Sequence, residues 1–481
     1  MASHRRFYTD IMALHNEVTG SCILNVIKFP DGTTKKILVD CGLFQEAEYS
    51  ELNKSLPFNS SAIDYVIVTH NHVDHTGRLP LLVKNGYRGK IITTHDTSVL
   101  IKNALYDSYK VLKSKAKLNN ELPLYSEDDV ELTLNLVEGQ PFEQSIWLDN
   151  NIKLTFFMNG HLQGAAIALL QISYHDHFDK MRYENINLLF TGDYNNKNMF
   201  FDVKPVAKWV HQLPINIIQE STYGYMDSSE ITNVFENNLL EAISKNKEIV
   251  IPVFSLGRSQ EIMLLLKRLQ TSGKLDKSIP IYYDGKLGMR YTRLFCSERL
   301  SIKDDCRDFL PDNLIYVTSG DLREDIVKTE GCKILLTTSG MGSYGPAQYY
   351  LPAFLKKENA LIHFTGYLAE GTLGRKLLDS KGDDIVEVFG LKIKKRAEIK
   401  TTSEFSAHAK KDELLDFLRD FENIKFVLIN HGTDESKDTY ASAVVNEIDA
   451  KNVAILGRSF FYRLDGYGLI KPFTSKFDFE K

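Results

Sequence analysis

Six consecutive residues, His70-Asn71-His72-Val73-Asp74-His75, gather three imidazoles and a carboxylate between an apolar β-type run and a helical stretch. Imidazole suits zinc and other borderline metals, and a carboxylate adds a hard, charged ligand. On an extended segment, residues two apart project to one side, so His70 and His72 can converge on one ion. Turning into a helix at Asp74 and His75 aims the next pair at a second ion nearby. The chain holds only 13 histidines, so three at this spacing around an aspartate favour metal binding over an exposed polar loop.

One loop cannot complete two sites, so further donors are expected at strand ends. His161 follows the run ending at Phe157, Asp193 follows Asn187–Thr191, and His431 follows Phe426–Asn430. Singly, each is better read as a turn residue or a satisfied surface histidine. A carboxylate such as Asp193 can bridge two cations about 3.5–4 Å apart. Asp40, closing a strand before Cys41-Gly42, suits the orientation of a ligand imidazole better than ligation itself.

These residues need elements to carry them. The first part of the chain reads as short strands: Lys36–Asp40, Ile63–Val68, Lys90–Thr93, Leu154–Phe157 and Asn187–Thr191, with a helical stretch over 98–117. From about residue 230 the texture changes to alternating strand and helix. Glu248–Phe254 precedes an amphipathic helix over Gln260–Leu269, and Ile279–Tyr283, Lys333–Thr337 and Leu361–Phe364 follow as compact apolar runs. That is the pattern of a parallel sheet with helical crossovers. A helical segment over Ala409–Asp420 begins just after His408, and short strands return from Phe426.

The turns after the parallel runs are rich in glycine and hydroxyls: Phe254-Ser-Leu-Gly-Arg258, Asp284-Gly285, Thr338-Ser-Gly-Met341 and Gly366 to Arg375. Any one of them is an ordinary strand-to-helix turn. Four at one predicted sheet edge suggest a crevice in which backbone N–H groups approach an anionic oxygen. Arg258, Ser339, Gly340, Gly366 and Arg375 are the candidate substrate contacts.

At 481 residues the chain exceeds one ordinary core, and 43% hydrophobic with 25% charged content reads as a soluble globular protein. A formal net charge of −5 provides no global field for nucleic acid, although metals and local Lys/Arg clusters can reverse the sign within a cleft. Lys392-Ile-Lys-Lys-Arg396 and Lys110 to Lys117 are such clusters, each more simply a solvated face. Five scattered cysteines without a Cys-x-x-Cys pair read as reduced thiols. With no signal-like or membrane-spanning apolar run, the expected location is cytoplasmic, with no membrane partner.

The succession Asp40-Cys-Gly, His70 to His75, Gly160-His161 and Gly192-Asp193 resembles the motifs of the metallo-β-lactamase superfamily. Glu220-Ser-Thr-Tyr-Gly224, Phe405-Ser-Ala-His408 and Asn430-His431-Gly432 resemble motifs A, B and C of its β-CASP branch. Gly257-Arg258, Thr338-Ser-Gly-Met341 and Gly371-Thr-Leu-Gly-Arg375 resemble internal motifs of that branch. The resemblance runs from about Val18 to the final strands. It implies an α/β fold, a four-layer αββα metallo-β-lactamase sandwich with an inserted α/β β-CASP domain. The metallo-β-lactamase parts would be residues 1–222 and 403–481, and the β-CASP domain residues 223–402.

The resemblance also implies two zinc ions per chain, with manganese an acceptable substitute for these N/O ligands. His70, His72 and His161 would hold one ion and Asp74, His75 and His431 the other, with Asp193 bridging. Asp74, Glu220 and His408 are the catalytic candidates. A metal-bound hydroxide would attack phosphorus in RNA, His408 would act as general acid, and Glu220 would fix its tautomer and favour its protonated form.

Two rival functions exist. Artemis-like DNA nucleases share the zinc motifs but typically carry valine where this chain has His431, and the internal Gly-Arg and Gly-Thr-Leu-Gly-Arg motifs favour RNA. Non-catalytic scaffolds of RNA-processing complexes typically have lost metal ligands, and here all seven are present. The chain departs from the family pattern at Tyr225-Met226-Asp227, at Thr433 before Asp434-Glu435, and at His95-Asp96, none of which removes a ligand. It ends soon after the last motifs, without the additional domain of the RNase J type. An RNase J-like dimer is therefore not expected; monomer and homodimer both stay open.

Overall fold

In the strand Ile23–Lys28, Ile23 and Ile27 belong to one buried cluster, whereas Leu24 and Val26 belong to another. Successive side chains on a strand point to opposite faces, so this sheet is covered on both sides. The computed structural model describes residues 7–15, 17–175, 183–228, 232–297, 299–366, 368, 371–448, 450, 452–458, 460–466 and 472–473. The chain divides into two compact units: residues 1–198, 202–228 and 407–481 form the first, and 199–201 with 229–406 the second.

Two sheets make the heart of the first unit. One runs edge to edge through Pro472–Phe473, Phe461–Asp465, Tyr8–Ala13, Ile23–Lys28, Thr34–Val39, Tyr65–Ile67, Lys90–Thr94 and Val137–Gln140. The other runs through Val453–Ile455, Ile424–Asn430, Ile215–Glu220, Tyr183–Phe190, Ala166–His175, Ile152–Met158 and Ser145–Asp149. Ile11, Ile23, Ile37 and Ile67 from the first sheet and Phe156, Leu170, Leu188 and Leu428 from the second share one buried core. On the outer face of the first sheet pack helices Leu79–Lys84, His95–Leu118 and Glu127–Asn135, through Leu82, Ile101, Leu105 and Val130. On the outer face of the second pack Lys411–Arg419 and Asp434–Glu447, through Leu414, Leu418, Tyr440 and Val444. The result is the four-layer helix–sheet–sheet–helix sandwich expected from the sequence.

Parallel pairing within these sheets is what assembles a site. Thr34–Val39 pairs parallel with Tyr65–Ile67, and Ile215–Glu220 lies parallel between Tyr183–Phe190 and Ile424–Asn430. Their carboxyl ends therefore release Asp40, His70, Asp193, Glu220 and His431 on the same side, where open sheets place ligands. The predicted strand over 63–68 is shorter than its apolar run. Asn59 caps a 3₁₀ turn, Ser60–Ala62, and Ile63 closes that turn instead of joining the sheet. The helix predicted over 98–117 starts earlier, at His95, because the Thr94 hydroxyl accepts the Thr97 N–H at 3.2 Å.

In the second unit, six strands form a wholly parallel sheet in the order Leu314–Tyr316, Ile281–Asp284, Lys333–Thr337, Glu248–Pro252, Ala360–Phe364, Glu398–Thr401. Lys333–Thr337 and Ala360–Phe364 are buried throughout, as strands covered on both faces must be. The Lys392–Arg396 stretch does not act as one patch. Lys392 and Lys394 are exposed on the hairpin Ile385–Val388/Leu391–Lys394, whereas buried Lys395 donates to the Ser380 carbonyl at 2.5 Å. No disulfide is formed by the five cysteines. No helix among the described residues is long and apolar enough to cross a membrane.

Candidate metal centre

The histidine loop folds as its spacing predicts. His70 and His72 leave the strand Tyr65–Ile67 in extended backbone, and His72 caps a one-turn helix, Val73–Thr76, that carries Asp74 and His75. His70 Nε2 comes within 3.2 Å of His72 Nδ1, and His161 Nε2 lies 3.0 Å from the same atom. Asp193 Oδ2 stands 3.6 Å from both His70 Nε2 and His161 Nε2. Its other oxygen, Oδ1, lies 3.2 Å from His75 Nε2 and 3.1 Å from His431 Nε2. Asp74 Oδ2 completes that second group, 3.8 Å from His75 Nε2 and 4.0 Å from His431 Nε2. All seven sequence candidates thus fall into two four-residue clusters sharing Asp193, with the ligand atoms of each within 4.8 Å of one another.

These spacings test whether a divalent ion fits. Tetrahedral ligands about 2.0–2.1 Å from zinc are roughly 3.3 Å from each other, close to the observed separations. His75 Nε2, His431 Nε2 and Asp193 Oδ1 are buried without a hydrogen-bond partner among the described residues. Buried polar atoms are rarely left so. A cation between them would satisfy all three, and the donor set fits.

Groups behind the imidazoles determine which nitrogen faces inward. His75 Nδ1 lies 2.8 Å from Asp40, His161 Nδ1 2.8 Å from the Ala407 carbonyl, and His431 Nδ1 3.0 Å from the Thr222 hydroxyl. Each contact leaves Nε2 for a metal. Burial holds His70, His72 and His161 below the ordinary imidazole range, so they are neutral and ready to ligate. Burial would do the same to His75, but Asp193 and Asp40 outweigh it and raise that group well above its usual value.

Beside the clusters, His408 Nδ1 lies 2.9 Å from both carboxylate oxygens of Glu220, and His408 Nε2 is 3.9 Å from Asp193 Oδ2. Glu220 is itself buried and held by the Tyr194 and Thr222 backbone N–H groups. Burial would depress His408, but the Glu220 charge prevails and pushes it up to about 9.

Three family models match in succession: the metallo-beta-lactamase superfamily over residues 20–155, the Beta-Casp domain over 259–377, and the Zn-dependent metallo-hydrolase RNA specificity domain over 392–455. Ribonuclease TTHA0252 of Thermus thermophilus is 30% identical over 431 residues, which cover 87% of this chain and 91% of that protein. The chain belongs to the β-CASP branch of the metallo-β-lactamase superfamily. It is 29% identical to transcription termination factor FttA of Methanosarcina mazei, over 91% of this chain and 69% of the relative. An RNase J-like protein of Methanocaldococcus jannaschii is likewise 29% identical, over 85% and 90%. As a member of this branch, the chain is a metal-dependent hydrolase.

The β-CASP turns follow four adjacent parallel strands and so share one sheet edge. Apart from Gly366, their candidate residues have contacts of their own within the β-CASP unit. Arg258 is mostly buried, pairs with Glu261 at 2.6 Å and lies over the Phe405 ring, and Arg375 pairs with Asp379 at 2.8 Å. Ser339 Oγ accepts the Tyr344 N–H, and Gly340 lies against the Phe254 ring, where a Cβ would come within 2.8 Å. Gly366 has open space around its Cα.

Sequence reasoning missed Thr69, Thr222, Asn159 and the Ala407 carbonyl. Asn159 ties the loops together by donating to the Thr191 and Asp193 carbonyls and accepting from the His161 N–H. Each sits within two residues of a ligand or of His408 or Glu220, the one signal available to find it.

Proposed function

We propose that this chain is a zinc-dependent ribonuclease that hydrolyses RNA phosphodiester bonds at a two-metal site. The carrying observation is the Glu220–His408 pair, a proton donor poised next to the bridging carboxylate of two adjoining ligand clusters. A lactamase or thioesterase has no use for such a pair, whereas phosphodiester hydrolysis must protonate a poor alkoxide leaving group. RNA is favoured by His431 in the second cluster, by the match to an RNA specificity domain, and by relatives named as ribonucleases.

In this reading His70, His72 and His161 would hold one zinc and Asp74, His75 and His431 the other, with Asp193 shared between the two groups. When bound, such ions make water a nucleophile near neutrality and neutralise the phosphoryl oxygens. His408 delivers a proton from Nε2 to the leaving oxygen, while Glu220 keeps it charged and correctly oriented. Asp74, less buried than His75 and His431, would accept a hydrogen bond from a water entering the site. Asp40 holds His75. Residues 1–222 and 403–481 supply this chemistry, and 223–402 supply substrate contacts through Arg258, Ser339, Gly340, Gly366 and Arg375.

The test is cleavage of matched 5′- and 3′-labelled RNA and DNA by purified chain, with His408→Ala and His72→Ala as controls. RNA products that vanish in both variants support the reading. Cleavage of DNA alone, or RNA cleavage that survives in His72→Ala, overturns it.

A further inference from the structure

Asp40 leaves its strand with a left-handed backbone, φ 60°, and its carboxylate is buried. Oδ1 accepts the Thr69 backbone N–H at 2.8 Å. Oδ2 is shared: His75 Nδ1 approaches it to 2.8 Å, and so does the Thr69 hydroxyl. The same hydroxyl oxygen lies 3.1 Å from His70 Nδ1. His70 and His75 belong to different ligand clusters.

The directions of these hydrogen bonds follow from the inventory of donors. A carboxylate only accepts, so Thr69 must give its one hydroxyl proton to Asp40. The lone pairs of that oxygen are then left for His70, which must donate through Nδ1–H. His75 likewise donates Nδ1–H to Asp40. Each imidazole thereby keeps its Nδ1 proton in the hydrogen bond, so that Nε2 is the nitrogen facing its cluster. Thr69 is buried, and Gly192 leaves room for it: a Cβ on Gly192 would lie 2.9 Å from the Thr69 Cβ.

We propose that Thr69 is a positioning residue which relays the Asp40 carboxylate to His70, so that one carboxylate sets the ligating tautomer in both metal pockets. Direct contact serves the His75 pocket and the hydroxyl relay serves the His70 pocket. The proposal rests on the metal assignment above, but not on RNA being the substrate.

Cobalt(II) is the probe, titrated into the full apo chain and read by its d–d absorption and by competition with a chromophoric chelator. His431→Ala disables the second pocket and exposes the first to measurement; His161→Ala does the reverse. Outer hydrogen bonds to ligand histidines are worth roughly 10–100-fold in metal affinity. Thr69→Val, which keeps both the shape and the backbone bond to Asp40, should lose that factor at the His70 pocket and alter its cobalt spectrum. The His75 pocket should change little. Thr69→Ser should restore the first pocket, Asp40→Asn should weaken both, and adding Thr69→Val to Asp40→Asn should cost the first pocket nothing more. Thr69→Ala supplies the same deletion should valine crowd Gly192. Unchanged cobalt affinity in the valine and alanine variants, failure of serine to rescue, or fully additive losses would each overturn the relay. A wild-type chain that binds fewer than two cobalt ions would overturn the metal assignment and the relay with it. Two ions bound without RNA cleavage would leave the relay supported and the ribonuclease reading refuted.

Discussion

Nδ1 of His408 is equidistant, at 2.9 Å, from the two carboxylate oxygens of Glu220, although 188 residues separate them. Glu220 ends the parallel strand Ile215–Glu220, and His408 stands in the loop just before the helix Lys411–Arg419. The electrostatics of the pair give the first prediction.

The His408 imidazole, pushed up to about 9 by Glu220 against the opposing effect of burial, is protonated through the neutral range. In its proposed role of general acid it would be active below that value and fail as pH rises through it. The pH profile of kcat should therefore fall on an alkaline limb near 9. Glu220→Gln removes the charge that raises the group and should move that limb toward neutrality. His408→Ala should lose about 10²–10⁴-fold in rate and abolish the limb. A limb that stays in place in Glu220→Gln contradicts the assignment.

Metal loading should compete with protons. His75 is held well above its ordinary value by Asp193 and Asp40, burial notwithstanding, so an incoming ion must displace its proton. Affinity should consequently fall as pH drops, as measured by chelator competition across a pH series. Chelation should abolish activity. At ion concentrations 1,000-fold above Kd, the metal should stabilise the fold by about 4 kcal/mol, visible as a rise in Tm.

Gly42 is the site of a steric prediction. A Cβ there would lie 1.4 Å from the Asp74 carbonyl oxygen and 1.9 Å from its carbon, so the chain after Asp40 packs directly on the ligand turn. Gly42→Ala must displace Asp74 and His75. Overpacking of this kind costs about 1–3 kcal/mol. Denaturant unfolding should register that loss, and metal analysis should show reduced occupancy of the second pocket.

Charge reversal separates the lysines of the 392–396 stretch. Lys392→Glu with Lys394→Glu alters exposed side chains, and if they track RNA, binding should weaken and its salt dependence flatten. Lys395→Glu buries a carboxylate against backbone carbonyls and should destabilise the protein whatever it does to RNA. Filter binding across a salt series and thermal melts distinguish the two effects.

Much of the site was legible because the ligands are chemically conspicuous. Histidines at positions 70, 72 and 75 around an aspartate declare a metal on composition and spacing alone, and the alternating strand–helix texture after residue 230 declares a parallel sheet. Thr69 and Thr222 were not legible, since a threonine beside a ligand is indistinguishable in sequence from one that merely fits the strand. Arg258 and Arg375 are candidate substrate contacts that also pair within their own helices, with Glu261 and Asp379, at spacings the sequence already contained.

By itself, then, the sequence determined the candidate ligand types and the strand and helix texture of each part, because these follow from side-chain chemistry and hydrophobic period, and the order of its motifs implied the fold class by resemblance. The resemblance implied how the ligands divide around Asp193; only the tertiary structure brought them within reach of one another and showed that Asp40 contacts His75 directly and His70 through Thr69. That outcome depends on parallel strand pairing, which brings residues hundreds of positions apart to one sheet edge, and on hydroxyl geometry that no spacing encodes.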